Sequence, residues 1–449
     1  MNTITQLPTK GHIKHALQNL ARGVEGLDEI YRLTMKRVDE YGKQILAWIV
    51  HAIRPLSTIE LQHALAIQRD TRELDEDFLP NVQDLRSKCA GLVAIDEETD
   101  VVRLVHFTTQ EYFRRTQSQW FPDAQTNITT ACVTYLSFDN FKSGYCQSDE
   151  AFEQRLLLNK LYDYAARNWG YHARKASTSC QDVTEFLQKQ AEVQASSQAL
   201  LVDAVYHFKG YSKRFPMNMT GLHLVAYFGL EDIFEPLLTI AKFDFDSKDA
   251  YGQTPLLVAA ENGHEGIVKL LLASEVNVNL QNDFNSTPLL VAASNGHEGV
   301  VKLLLAATEV NVNLQNDYNE TPLLVTARNG HEGVVKLLLT TSVNVNLQNI
   351  HSETPLLIAA KNGHEGVVKL LLATEVNVNL QNNYKYTPLL VAARNGHEGV
   401  VKLLLATGKV DVSSKDNNGR TALSQAVTYG REGIIKLLKD YARDTTGRG

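Results

Sequence analysis

The sequence predicts a mainly α protein: a solenoid of stacked helix–turn–helix units with β-hairpin fingers, preceded by a helical module carrying a two-stranded wing. Three observations predict this. A phrase beginning TPLLVAAENGHEGIVKLLL at Thr254 returns from Thr287, Thr321, Thr354 and Thr387, at steps of 33, 34, 33 and 33 residues. A fixed period of that length marks units that bury their core only by stacking on one another. Within each phrase the apolar residues fall at helical spacing, then switch to period two. The N-terminal half lacks the period and reads as helix, helix, strand pair and helix.

Each unit opens on Thr-Pro. Thr254 suits an N-cap, because its hydroxyl accepts from a free first-turn N–H. Pro255 suits the first helical position, where a missing N–H does no harm. Leu256 to Glu261 forms a short inner helix, and Asn262-Gly263 ends it. From His264-Glu265 an outer helix follows, with Ile267, Val268, Leu270, Leu271 and Leu272 as its apolar face. Val276 to Leu280 alternates as an extended finger does, and Asn282 to Ser286 forms its turn. Looser copies at Thr220 and Thr421 flank the run. These units resemble the ankyrin repeat. Two departures stand out. The TPLH phrase of that family survives only as Thr220…His223. The finger-turn glycine is kept at Gly252 and Gly419 but is Asn285, Asn319, Ser352 and Lys385 elsewhere, so looser fingers are expected at Ser352 and Lys385.

Comparing the five close copies locates their differences. Three residues before each Thr the column reads Tyr251, Phe284, Tyr318, His351, Tyr384. One residue before, it reads Gln253, Ser286, Glu320, Glu353, Tyr386. Seven after, it reads Glu261, Ser294, Arg328, Lys361, Arg394. The ankyrin resemblance implies that all three columns look onto the concave surface. They are the candidate partner-binding residues: a row of aromatics beside a groove turning from acidic to basic. Aromatics and Arg are what interface hot spots favour. A further column, His264, His297, His331, His364 and His397, reads as structural. Stacked repeats lie about 8–10 Å apart, too far for one metal at about 2 Å.

In the N-terminal half, residues 27–54 read as two amphipathic helices ended at Arg54-Pro55. Ser57 or Thr58 caps TIELQHALAI, and NVQDLRSKCAG is a further helix. LVAIDEETDVVRLVHFT gives two strands about an acidic turn. Thr108 and Glu111 match a capping box opening the next helix. This order resembles a winged helix. RPLSTIELQHALAI, CAGLVAIDEETDVVRLVHFTTQEYF and YDYAARNWGYHAR are similar to the region between the nucleotide-binding domain and the repeats of fungal NACHT–ankyrin proteins, relatives of NOD-like receptors. That resemblance covers about Gly11 to Arg174. It implies a signalling sensor whose switch is a NACHT ATPase, yet GxxxxGK[ST] occurs nowhere here, so no nucleotide triphosphate is expected to bind. The chain then reads as a receptor fragment, an incomplete gene model or a stand-alone adapter, with apolar surface expected near residues 13–50.

Net charge is −7, divided as −5 from Met217 onward (19 Lys+Arg, 24 Asp+Glu) and −2 before it. Neither half is basic, and the wing tip Asp96-Glu97-Glu98-Thr99-Asp100 would repel phosphates, so no nucleic acid is expected. No apolar run approaches the ~18 residues of a membrane span. Cys89, Cys132, Cys146 and Cys180 are scattered, as in reduced intracellular proteins. GxSxG and HExxH are absent, and Tyr162, Tyr164, Trp169 and Tyr171 read as core. The expected organisation is a helical segment (1–55), a winged helix (56–116), a helical linker domain (117–215), seven repeats (216–442) and a tail (443–449). The expected function is non-enzymatic, cofactor-free protein recognition in the cytoplasm, with the nucleus as the alternative site. A sensor or adapter in signalling is the first reading. A substrate adapter or scaffold subunit is the second, and a hydrolase with an unrecognised site is the third.

Overall fold

The computed structural model describes residues 24–69, 71–176, 181–202, 209–240 and 242–446. Cys180, residues 1–23 and residues 447–449, on which parts of the readings above fall, lie outside them. The chain divides into two compact units, Met1–Phe243 and Asp244–Gly449.

The N-terminal unit opens with α1 (Val24–Met35) and α2 (Glu40–His51), the two amphipathic helices of the sequence. After β1 (Leu56–Ser57), α3 (Thr58–Ala66) starts on a full capping box between Ser57 and Glu60. Next come α4 (Val82–Ser87), β2 (Val93–Ile95), β3 (Val101–Leu104) and α5 (Phe107–Trp120). β3 pairs antiparallel with β2 and with β1, so the sheet has three strands in the order β1-β3-β2. The third strand is not legible in the sequence, because two residues carry no period. The cap of α5 also differs from expectation. His106, not Thr108, is the N-cap and accepts from the Thr108 amide. The helix starts earlier, and the Thr108 hydroxyl bonds Tyr31 instead, at 2.6 Å.

The helices α6 (Ala124–Leu136), α7 (Asp149–Leu158), α8 (Tyr162–Lys175), α9 (Gln181–Leu187) and α10 (Gln190–Leu201) follow. Tyr162, Tyr164 and Trp169 are core, while Tyr171 is exposed. α11 (Gly221–Phe228) and α12 (Glu231–Ile240), the first repeat-like pair, belong to this unit. Trp169 packs edge-on against Phe228, centroids 5.0 Å apart, and a side chain at Gly170 would collide with the Phe228 ring. Among the described residues of 13–50 no large apolar side chain is exposed. Among the described residues of this unit the exposed ones lie instead at Ile53, Phe78, Val82, Val105, Phe107, Leu157, Leu158 and Tyr171. The amphipathic faces of α1 and α2 are spent on Ile30, Tyr31, Met35, Ile45, Leu46 and Trp48.

The repeat unit is built of inner and outer helices. The inner ones are α13 (Pro255–Glu261), α15 (Pro288–Asn295), α17 (Pro322–Asn329), α19 (Pro355–Asn362), α21 (Pro388–Asn395) and α23 (Ala422–Thr428). The outer ones are α14 (Glu265–Leu272), α16 (Glu298–Leu305), α18 (Glu332–Leu338), α20 (Glu365–Leu372), α22 (Glu398–Ala406) and α24 (Glu432–Thr446). Every inner helix is capped by its Thr, whose hydroxyl accepts from the amide three residues on. Alternation at 276–280 does not give regular strands. Asn277 turns the chain by accepting from the Asn279 amide, an Asx turn that competes with extended pairing. α24 runs to Thr446, past the expected start of the tail.

Candidate protein-interaction surface

Each finger is a tight turn. The Asn282 amide donates to the Ser286 carbonyl, and the Asn282 side chain accepts from the amides of Phe284 and Ser286. The same pattern is built on Asp249, Asn316, Asn349, Asn382 and Asp416. Comparison of the copies does not single these residues out, since their column changes only between Asn and Asp, which accept the same two bonds. A positive φ is required at the turn, near 54–60° at Asn285, Asn319, Ser352 and Lys385. Only glycine adopts it freely.

Consecutive fingers are tied together. The carbonyls of Tyr251, Phe284, Tyr318, His351 and Tyr384 each accept from the next finger, at 3.0 to 3.2 Å. The first varying column is therefore one continuous row. Tyr251 is 37% exposed, Phe284 58%, Tyr318 58% and Tyr384 62%, and His351 is exposed as well.

The other two columns do not both look outward. Ser286, Glu320 and Glu353 are buried, contrary to expectation. Residues one before and seven after the Thr meet across the mouth of their own inner helix. Glu320 pairs with Arg328, and Glu353 with Lys361 at 2.9 Å. Tyr386 accepts from Arg394 at 2.9 Å. A hydrogen bond from Gln253 reaches Glu261, whose carboxyl is still held above its ordinary range by loss of solvation. The Glu320 bond, then the smaller opposing loss of solvation, leaves the Arg328 guanidinium even harder to deprotonate. Ser286 and Ser294 are small and neutral. The groove thus does not run smoothly from acid to base: two of its three cations are neutralised from beneath, leaving Glu261 at one end and Arg394 at the other.

The histidine column fixes the stacking. His297, His331, His364 and His397 each bond through Nε2 to the carbonyl of Glu261, Ser294, Arg328 and Lys361 in the preceding repeat, at 2.9 to 3.0 Å. Asn295, Asn329, Asn362 and Asn395 donate to the same carbonyls. The ring sits where a Cβ would stand on Gly263, Gly296, Gly330 or Gly363, so the Asn-Gly pair both ends a helix and seats the next repeat's imidazole. In the last repeat Arg431 stands in that position and donates to the Arg394 carbonyl.

The three described cysteines offer no reactive thiolate. Cys89, Cys132 and Cys146 are buried, and burial pushes the Cys89 thiol up to about 12. Among the described residues no helix is long and apolar enough to cross a membrane.

Family comparison agrees with this geometry. The ankyrin-repeat model, three repeats long, matches at residues 222–316, 305–382 and 366–447, together half of the chain. The chain is an ankyrin-repeat protein. A second model, the winged helix domain of GPI inositol-deacylase, matches residues 31–120. That match takes in α2, which the sequence sets apart as a separate segment. Among solved structures, the crystal structure of the human ASB11 ankyrin repeat domain is similar at 24% identity, covering 48% of this chain and 97% of that one, with a TM-score of 0.44. No curated protein matches the chain.

Proposed function

We propose that this ankyrin-repeat protein is a non-enzymatic recognition module that holds a partner protein along the row Tyr251, Phe284, Tyr318, His351 and Tyr384. One observation carries the reading: large aromatics stand exposed in consecutive fingers locked in register. Rings on a rigid support bury much area for little conformational entropy, and aromatics are enriched where interfaces concentrate their energy. Repeat scaffolds offer such surfaces without any catalytic group. The neighbouring winged-helix match supports the finer reading of a cytoplasmic sensor or adapter of the NOD-like-receptor kind. An adapter or scaffold subunit would use the same row. The acidic wing, with Asp96 accepting from the Glu98 and Thr99 amides, supports a protein rather than a nucleic-acid partner.

The test is the triple variant Phe284→Ala, Tyr318→Ala, Tyr384→Ala in the full chain. Its helical circular dichroism stays at the wild-type level while crosslinked partners are lost. Undiminished crosslinking with an intact fold would discard the reading.

A further inference from the structure

Five copies of one template expose an exception. In the repeats starting at Thr321 and Thr354, the cation seven residues on is met by a buried carboxylate of its own repeat: Glu320 under Arg328, Glu353 under Lys361. In the repeat starting at Thr387 the cation is kept and the carboxylate is gone. Tyr386 occupies its place and takes one guanidinium N–H of Arg394 through a neutral phenol. The guanidinium lies 5.5 Å from the Tyr386 ring centroid and 5.3 Å from that of Tyr429, contributed by the next repeat. Among the described residues no carboxylate pairs with Arg394. Arg394 is half-buried and Tyr429 is exposed.

A partly desolvated charge without a counter-ion is costly. Cation–π contact with two rings offsets part of that cost. It leaves the edge of the guanidinium, with donors still available out of five, as the open side. The row of rings ends nearby at Tyr384, two residues before Tyr386.

We propose that Arg394, clamped by Tyr386 and Tyr429, is the anchor for an Asp or Glu side chain of the partner polypeptide, whose apolar residues lie along the aromatic row. This rests on the protein-binding reading above. The partner's carboxylate supplies the charge that Glu320 and Glu353 supply in the earlier repeats. The template therefore carries its own control: Tyr386→Glu rebuilds the internal pair and closes the anchor, while Glu320→Tyr opens a second one at Arg328.

The experiment selects displayed random twelve-residue peptides on the full chain and on its variants. Wild type enriches an Asp or Glu at fixed spacing from apolar residues. Arg394→Gln and Tyr386→Glu keep the apolar preference and lose the acid, and Glu320→Tyr adds a second acid. The best peptide binds Arg394→Gln roughly tenfold or more weakly by fluorescence anisotropy. Wild-type peptides without an acid, while the triple aromatic variant loses them all, would overturn the anchor and spare the row. Acid preference undiminished in both closing variants overturns it too. Failure of wild type to select any peptide removes the row and the anchor together. A phosphoserine peptide binding tighter than its Asp form would overturn the carboxylate assignment.

Discussion

In the N-terminal unit, buried Gln198 accepts from the Cys146 amide and donates to the Cys146 and Ser212 carbonyls, a bond set fitted to that place. In the repeat unit, a histidine Nε2 meets the preceding repeat's carbonyl in the same way from copy to copy. The first unit joins residues far apart in sequence through unlike contacts. The second joins like contacts about one period apart. Loss of one contact should therefore undo much of the first unit but only a neighbourhood of the second.

Trp169→Ala attacks the first side of that contrast. The ring is fully buried against Phe186 and Phe228. Its removal should cost about 3–5 kcal/mol, read as a lower denaturant midpoint of the N-terminal unit. All three tryptophans, Trp48, Trp120 and Trp169, lie in that unit, so fluorescence of the remaining two reports on it. An unmoved midpoint would show that its core is not shared. Leu338→Ala attacks the second side. Leu338 is fully buried in α18, and the change should cost about 2–4 kcal/mol. Hydrogen exchange should quicken in the Thr321 repeat and its two neighbours but not at α23. Uniform quickening would make the stack one cooperative block.

Acid sharpens the contrast further. The Ile53 amide donates to the Tyr164 hydroxyl, which bonds His172 Nε2; His172 Nδ1 bonds Gln125, and Gln125 bonds His51. Burial, helped by Lys175 and then by His51, pushes His172 down to about 3. Burial first, then charge from Lys175 and Lys160 respectively, lowers His51 and His63. Folded values below the unfolded ~6.5 mean that the unfolded chain takes protons first. Stability is complete above about pH 6.5 and should fall by about 1 kcal/mol per pH unit for each such histidine as pH drops toward the folded value. Tryptophan fluorescence checks this.

The smallest effect compares repeats with one another. Asp249 stands where Asn282, Asn316, Asn349 and Asn382 stand. Its Oδ2 is buried without a partner, and its carboxyl is raised, by burial first and then by Asp283 and Glu261, against bonds from the Gln253 and Tyr251 amides. A raised folded value means the ionised form is disfavoured at neutral pH and the handicap vanishes below the unfolded ~3.9. Asp249→Asn should stabilise by about 1 kcal/mol at pH 7 and by nothing near pH 3.5. A gain unchanged by acid would point to some cause other than charge.

Much of the repeat fold is legible in residue order. Thr-Pro starts, Asn-Gly stops and apolar spacing set each helix, because caps and amphipathic faces are local. The exposure of the aromatic column is legible too, since a side chain at a turn tip has nowhere to be buried. The burial of Glu320 and Glu353 is not legible, because their pairing with residues eight later depends on how a finger folds over its helix. The alternation of Val276 to Leu280 does not become strand, because Asn side chains outcompete strand pairing there. In the N-terminal half the three-stranded sheet and the Gln125–His172 chain are not legible, as each depends on partners brought together from separate elements.

What the order of residues determined alone is the module, its period and the row it displays, because those interactions close within one repeat or between identical neighbours. What tertiary structure decided is which charges stay available. Burial of Glu320 and Glu353 cancels two cations, and the Tyr386–Tyr429 clamp leaves Arg394 uncancelled. Charge balance depends on distances across the fold, which a linear pattern does not carry.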